Sequence, residues 1–379
     1  MTTIDLPYRA DGLDPATQTT APVRTATPVR WWAALGALVL SVQLYAWGRW
    51  ATSERFEATT MGRDEVPGWM ELFAGIWTWT MFAGMIWLFW YWLWRPMRRE
   101  GRMTIEGKLL VIWLLLYWQD PLGLWTQNWF SYNSALINMG SWTTDVPGWF
   151  APVSNRLGEP FLWVASSYVF VLAPATVWGA YVMRRAKARW PSIGKLGLIM
   201  VAFGTMAVAD VVAETIWVRF GLYSYGGAVR SMSLFSGNYY QFPIYESFMW
   251  GAAMAAFSSV IYFRNDKGET VAERRSEDLR LGATGKVLVR FLALLAIFNV
   301  IYGSYNFSMQ WFGLRADDWT EDHYDRPYLL QGLCGPGSEY ACGAPDVPIA
   351  REHSVHLGPD GELVVPEEVT IRDESRIEQ

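Results

Sequence analysis

Residues 195–219, KLGLIMVAFGTMAVADVVAETIWVR, decide how the rest of the chain is read. Between Lys195 and Arg219 the only charged residues are Asp210 and Glu214, and the run is long enough to cross about 30 Å of hydrocarbon as one helix. Positions four apart project from the same helix face, about 6 Å apart along the axis. A carboxyl group at the centre of a membrane helix costs about 2.5 to 3.5 kcal/mol on insertion scales, so two on one face without a cation need a reason. Two acids this close in an apolar setting share a proton, one serving as acid and its ionised neighbour as base. Two alternatives stay open: a hydrogen-bonded polar knot that fixes helix packing, and neutralisation of Glu214 by Arg219.

The same texture extends in both directions. Of 379 residues, 52% are apolar and 24 are tryptophan, a level that suits a bilayer better than a soluble core. Seven apolar segments are long enough to span, at about 31–48, 69–94, 109–129, 161–183, 196–220, 243–263 and 287–312. The expected fold is therefore all-α, a polytopic membrane helix bundle of about seven transmembrane helices. Residues 1–30 read as a flexible cytoplasmic tail, 31–312 as the transmembrane domain and 313–379 as a polar extracytoplasmic tail. The opening residues lack a basic region, a short apolar core and a small-residue cleavage site, so no removable signal peptide is expected. Asp120 and Pro121 interrupt the third segment, and such a break is tolerated only against protein or a wet cavity. Asp120 could instead cap the second half of that broken helix.

Lysine and arginine gather in the loops after the second, fourth and sixth segments, sixteen residues against six in the other loops. Positive residues stay on the cytoplasmic side, which puts the amino terminus inside and the carboxy terminus outside, in the cell membrane. Cys334 and Cys342 then fall where a disulfide can persist. With this orientation Asp210 lies about 22 Å from the inner end of its span, with Glu214 one turn further out. Asp120, Glu71, Glu159 and Glu246 fall at similar depth on other spans. Gln119, Asn128, Tyr132, Asn133, Tyr223, Tyr225, Tyr239, Tyr240 and Gln241 adjoin them, which implies a polar pocket opening towards the outer leaflet. Asp120, Asp210, Glu214 and Glu246 are the candidate catalytic acids. Glu159 and the neighbouring amides and tyrosines, Tyr239 apart, are candidate substrate ligands. The aromatic loops 140–149 and 221–242 suit a lid or an interfacial ledge.

Charge and composition also exclude functions. The net charge of -5 with scattered basic clusters lacks the continuous basic face that nucleic acid requires. The only histidines, His323, His353 and His356, lie in the tail, so imidazole base catalysis within the membrane is excluded. Asp317, Asp318, Glu321 and Asp322 resemble half of a magnesium-binding diphosphate motif, but the run is single, and a solvated charge cluster explains it. No metal site is expected. Asp360 and Gly361 read as a turn between two short strands.

Several motifs together resemble a known family. They are Trp118-Gln119-Asp120-Pro121, Trp129-Phe130-Ser131-Tyr132-Asn133, Pro147-Gly148-Trp149, Glu159-Pro160, Asp210 with Glu214, Phe220-Gly221 with Tyr223 and Tyr225, and Phe242-Pro243 with Tyr245-Glu246. The set is similar to the AveC-type spirocyclases of actinobacterial membranes, over roughly 31–312. The resemblance implies cyclisation of a dihydroxy-ketone polyketide chain to a spiroketal with loss of water, and no cofactor. Other apolar substrates, lipid-like or isoprenoid, remain open to the same acid-driven chemistry. Proton-coupled transport or small-molecule binding is a competing class, but there is one candidate broken helix and no internal repeat. A scaffold that binds a partner through the outer loops is the third.

Overall fold

The computed structural model describes residues 28–59, 65–125, 129–149, 158–317 and 319–330, together with the dipeptides 356–357 and 363–364. Asn128, Cys334 and Cys342 lie outside the described residues, as does most of either tail.

Long apolar runs become long helices, two of them with an internal proline, Pro96 and Pro174. α1 (Pro28–Ala51), α2 (Gly68–Glu100), α4 (Phe161–Arg189), α5 (Lys195–Arg219) and α7 (Ala283–Gly313) are each long and apolar enough to cross a membrane. The chain thus fits a membrane protein. The expected third and sixth spans are of another kind. α3 (Ile105–Leu116) starts on Thr104, whose hydroxyl accepts from Gly107 N–H at 3.1 Å, and runs for only 12 residues. A 3-10 turn, Tyr117–Leu124, then carries Asp120 and Pro121, where proline denies the helix a hydrogen bond. α6 (Ile244–Tyr262) is 19 residues long and mostly buried, packed against α4, α5 and α7.

Two of the long helices contain a π turn, at Phe89–Trp94 in α2 and at Tyr168–Leu172 in α4. Such turns insert one extra residue and are frequent at functional sites. Close approach relies on glycine. A Cβ on Gly36 of α1 would stand 2.0 Å from the Leu292 carbonyl of α7, and one on Gly251 of α6 would meet Ala207 of α5 at 2.8 Å. Trp113 meets Phe257 and Phe298 edge to face in the buried core, with its ring centroid 4.9 Å from that of Phe257.

The loops on the side where α5 ends are folded, and not loose ledges. β1 (Ser131–Tyr132) pairs antiparallel with β2 (Tyr223–Ser224), setting Tyr132 opposite Tyr223. β3 (Ser233–Leu234) pairs with β4 (Phe242–Pro243). Trp142 is buried and donates its indole N–H to the Trp118 carbonyl at 2.9 Å, so the 140–149 loop is part of the core. The start of the expected polar tail is also packed. Trp319 lies flush on Gly226, Tyr328 accepts two hydrogen bonds from Ser134, and Leu329 accepts one from Ser131. Asp317 and Asp322 accept from the backbone N–H groups of Arg230 and Tyr239, so they fasten this strap and are not a free charge cluster. Further on, β5 (His356–Leu357) pairs antiparallel with β6 (Leu363–Val364), while Asp360 and Gly361 lie outside the described residues.

Candidate active site

Three segments deliver four carboxyl groups to one place. A cavity of about 440 Å³ lies between the 3-10 turn, α4, α5, α6 and α7, and Asp120, Asp210, Glu214 and Glu246 all line it. The size suits a small organic molecule, since such pockets run from about 300 to 1,000 Å³. Helical spacing puts Asp210 and Glu214 on one face of α5, and the start of α6 brings in Glu246. The break at Pro121 turns Asp120 inwards.

Each acid has its own donors. Asp120 accepts from the Tyr132 hydroxyl at 2.5 Å and the Tyr168 hydroxyl at 2.7 Å, and Tyr168 is hydrogen-bonded in turn to Tyr302. It therefore caps no helix. Glu214 accepts from Tyr223 and, at 2.8 Å, from Tyr225. Asp210 accepts from Ser247 at 2.6 Å, and one Glu246 oxygen accepts from Tyr305 at 2.8 Å. The Glu246 carboxyl also lies against that of Asp210. No lysine, arginine or histidine is among the described residues that line the cavity. Arg219 lays its guanidinium over the Tyr240 ring at 3.9 Å, so it does not neutralise Glu214. The carboxyl groups face a shared void, which separates this arrangement from a closed polar knot.

The other expected site residues divide. Tyr132, Tyr223 and Tyr225 line the cavity. Glu159 is buried outside that lining, with its carboxyl against that of Asp120. Burial, then the neighbouring Asp120, hold its carboxyl well above the usual range. Gln119 turns from the cavity to α7, donating to Asn299 Oδ1 at 2.7 Å. Asn133 donates to the Gly221 carbonyl at 2.8 Å, and Gln241 to the Tyr225 carbonyl at 2.7 Å. These amides satisfy buried backbone groups of the loops around β1 and β2 and of α7, as buried polar atoms must. Tyr240 serves Arg219, and Glu71 is exposed.

Residues 100–329 match the family described as Spirocyclase AveC-like. The chain belongs to this family. No curated protein and no solved structure matches it. The AveC-like stretch contains every residue that lines the cavity, whereas α1 and nearly all of α2 precede it. Membership supports a cyclase-type function in general terms.

Within the AveC-like cavity the sequence reading passed over Tyr168, Tyr302 and Tyr305, which bond to the acids or to one another. A signal was present: a phenol in the middle of an apolar helix needs a partner for its hydroxyl. Trp163, Trp217 and Trp250 complete the aromatic wall.

Proposed function

We propose that this AveC-like protein is a cofactor-independent membrane cyclase that closes a dihydroxy-ketone, polyketide or similarly apolar, to a spiroketal with loss of water. The observation that carries the reading is the convergence of Asp120, Asp210, Glu214 and Glu246 on one cavity whose described lining holds no cation. Uncompensated buried charge is costly, so most of these carboxyl groups hold protons in the resting site.

The chemistry follows from that inventory. One hydroxyl of the substrate adds to the ketone to give a hemiketal. A protonated carboxyl then gives its proton to the hemiketal hydroxyl, water leaves and an oxocarbenium ion forms. The second hydroxyl attacks this carbon, and a carboxylate removes its proton. Glu246, whose carboxyl lies against that of Asp210 and shares a proton with it, is the donor. Asp120 and Glu214, each held by two phenolic O–H donors, are the acceptors. The faces of Trp163, Trp217 and Trp250 stabilise the cation. Because acid alone closes such rings, the protein's main contribution is to hold one conformer and thereby choose one stereoisomer.

In this reading α3 with its 3-10 turn and α6 complete a seven-span plasma-membrane bundle. The amino terminus lies inside, and the acids and the Cys334–Cys342 pair lie towards the outside. Comparing the metabolites of cells with and without the gene identifies the product. Asp210→Asn and Glu214→Gln each abolish product formation in membranes while expression and helical content persist. Full turnover in both variants removes these acids from the mechanism.

A further inference from the structure

The cavity is chemically divided along its length. On α4 the lining runs from Ser167 and Tyr168 to Val171, Leu172, Ala175 and Trp178. On α5, read backwards, it runs from Glu214 and Asp210 to Ala209 and Met206, and on α6 from Glu246 to Trp250 and Met254. In all three helices the hydrogen-bonding groups sit at the end near β1 and β2, and beyond Tyr168, Asp210 and Glu246 every lining residue is hydrocarbon, thioether or indole. This apolar limb extends for about 15 Å along α4, from Tyr168 to Trp178, at the usual helical rise.

The limb also reaches the outside of the bundle. Trp178 lines the cavity and is 43% exposed, and Val208 and Val212, next to the lining residues Ala209 and Ala213, are 66% and 57% exposed. These positions lie in the middle of helices long and apolar enough to span, so the surface they form meets acyl chains. Between the two helices the lining is small, with Ala175, Ala209 and Ala213 leaving the opening. Towards the other end Met183, Ala186, Leu198 and Ala202 close the seam with a packed cluster.

We propose that the cleft between α4 and α5 is a lateral entrance from the bilayer, and that the substrate is amphipathic, with an oxygenated head at the acids and a linear aliphatic tail lying past Leu172, Ala175, Trp178 and Met206. The head's chemistry rests on the cyclase reading, whereas the tail site rests on the shape and lining of the cleft. A compact, uniformly oxygenated substrate would leave this limb unfilled, and entry from water would leave the opening at Trp178 without a purpose.

The test is photolabelling of the full-length protein in phospholipid vesicles with stearic acid carrying a mid-chain diazirine, and mapping of the adducts. Saturable adducts are expected on Trp178, Met206 and Met254, displaced by excess unlabelled stearic acid but not by hexanoic acid. Val208 and Val212 are expected to label without saturation, as bulk lipid contacts. Ala175→Trp with Ala209→Trp removes the saturable adducts and leaves those on Val208 and Val212, which also reports that the variant is folded in the membrane. Label confined to the lipid-facing residues overturns the proposal. So does saturable label from a diazirine phospholipid that free stearic acid fails to displace, because the limb then holds a structural lipid. Asp210→Asn and Glu214→Gln keep the saturable label, so a failure of the acid–base chemistry and a failure of the tail site read out separately.

Discussion

Tyr132 and Tyr223 stand opposite each other on the two-residue ladder of β1 and β2, and their phenols are bonded to different acids, Tyr132 to Asp120 and Tyr223 to Glu214. Their rings meet edge to face with centroids 5.9 Å apart. One backbone ladder therefore sets the donors of two carboxyl groups that line the cavity from different segments. A hydrogen bond to a charged or charge-sharing group contributes about 1.5 to 3 kcal/mol, so Tyr132→Phe and Tyr223→Phe are each expected to lower turnover about ten- to a hundredfold with KM little changed. The double variant loses less than the product of the two, because both act through the ladder. Product formation in membranes reads both results, and strict multiplicativity would show that the two phenols act independently.

The contact between α1 and α7 depends on the missing side chain of Gly36, since a Cβ there would stand 2.0 Å from the Leu292 carbonyl. Gly36→Val has no flexible neighbour to displace. Overpacking of this kind costs about 1 to 3 kcal/mol, and more when backbone must move. The expected result is a lowered Tm in detergent, followed by tryptophan fluorescence, with the carboxyl cavity of the remaining folded protein unaltered. An unchanged Tm would mean that α1 rides on α7 more loosely than the distance implies.

The strap at 319–330 carries a pH response. His323 is buried, with Nδ1 bonded to Thr320 at 2.6 Å and Nε2 without a partner among the described residues. Burial first of all, opposed by Asp322 and reinforced by Arg326 and Arg230, lowers its pKa from 6.5 to about 3. The docked imidazole is therefore neutral, while the undocked one takes up a proton below its ordinary value. Docking is at full strength above pH 6.5 and weakens as pH falls towards 3, by about 2 kcal/mol between pH 7 and pH 5. Amide exchange across 319–330, corrected for intrinsic rates, is expected to rise in that window. His323→Leu is expected to flatten the dependence.

Towards the basic loops, Glu273 is buried and takes hydrogen bonds from Lys108 of α3 and Arg290 of α7, each at 3.3 Å, and from Thr270 N–H at 3.0 Å. Burial pushes this carboxyl up, but Lys108, the Thr270 N–H and Arg290 outweigh it, and the net shift is downward. A depressed acid contributes stability above its ordinary pKa that is lost as pH falls through its lowered value. Glu273→Gln is expected to cost about 1.5 to 3 kcal/mol near neutral pH and little in strong acid. Thermal unfolding at both pH values checks the difference.

Much of this architecture could be read from residue order. Long apolar runs marked the five helices that are long and apolar enough to cross a membrane, Pro121 marked the break, and the spacing of Asp210 and Glu214 marked the face that meets the cavity. Less legible was anything that depends on which neighbour a polar side chain finds. Gln119 is next to Asp120 in sequence and Asn133 next to Tyr132, yet they and Gln241 turn to satisfy a buried amide or carbonyl, and composition carries no sign of that choice. Tyr302 and Tyr305 were hidden for the opposite reason, because tyrosine in a span also reads as an interfacial anchor. The strap escaped notice because its buried residues, Trp319, His323 and Leu329, are spaced among charges and show no period.

The π turn at Tyr168–Leu172 divides α4 into an upper piece that presents Tyr168 and a lower piece that presents Ala175 and Trp178. The turn holds one residue more than an ordinary helical turn, so the surplus is absorbed locally and the pieces on either side keep their phase. Pro174, which follows it, has no N–H to give to the helical ladder, and the wider turn takes up that missing bond. The bulge thus lets a proline and a surplus residue sit inside one continuous span while the proton-handling groups and the hydrocarbon compartment stay on a single bearing.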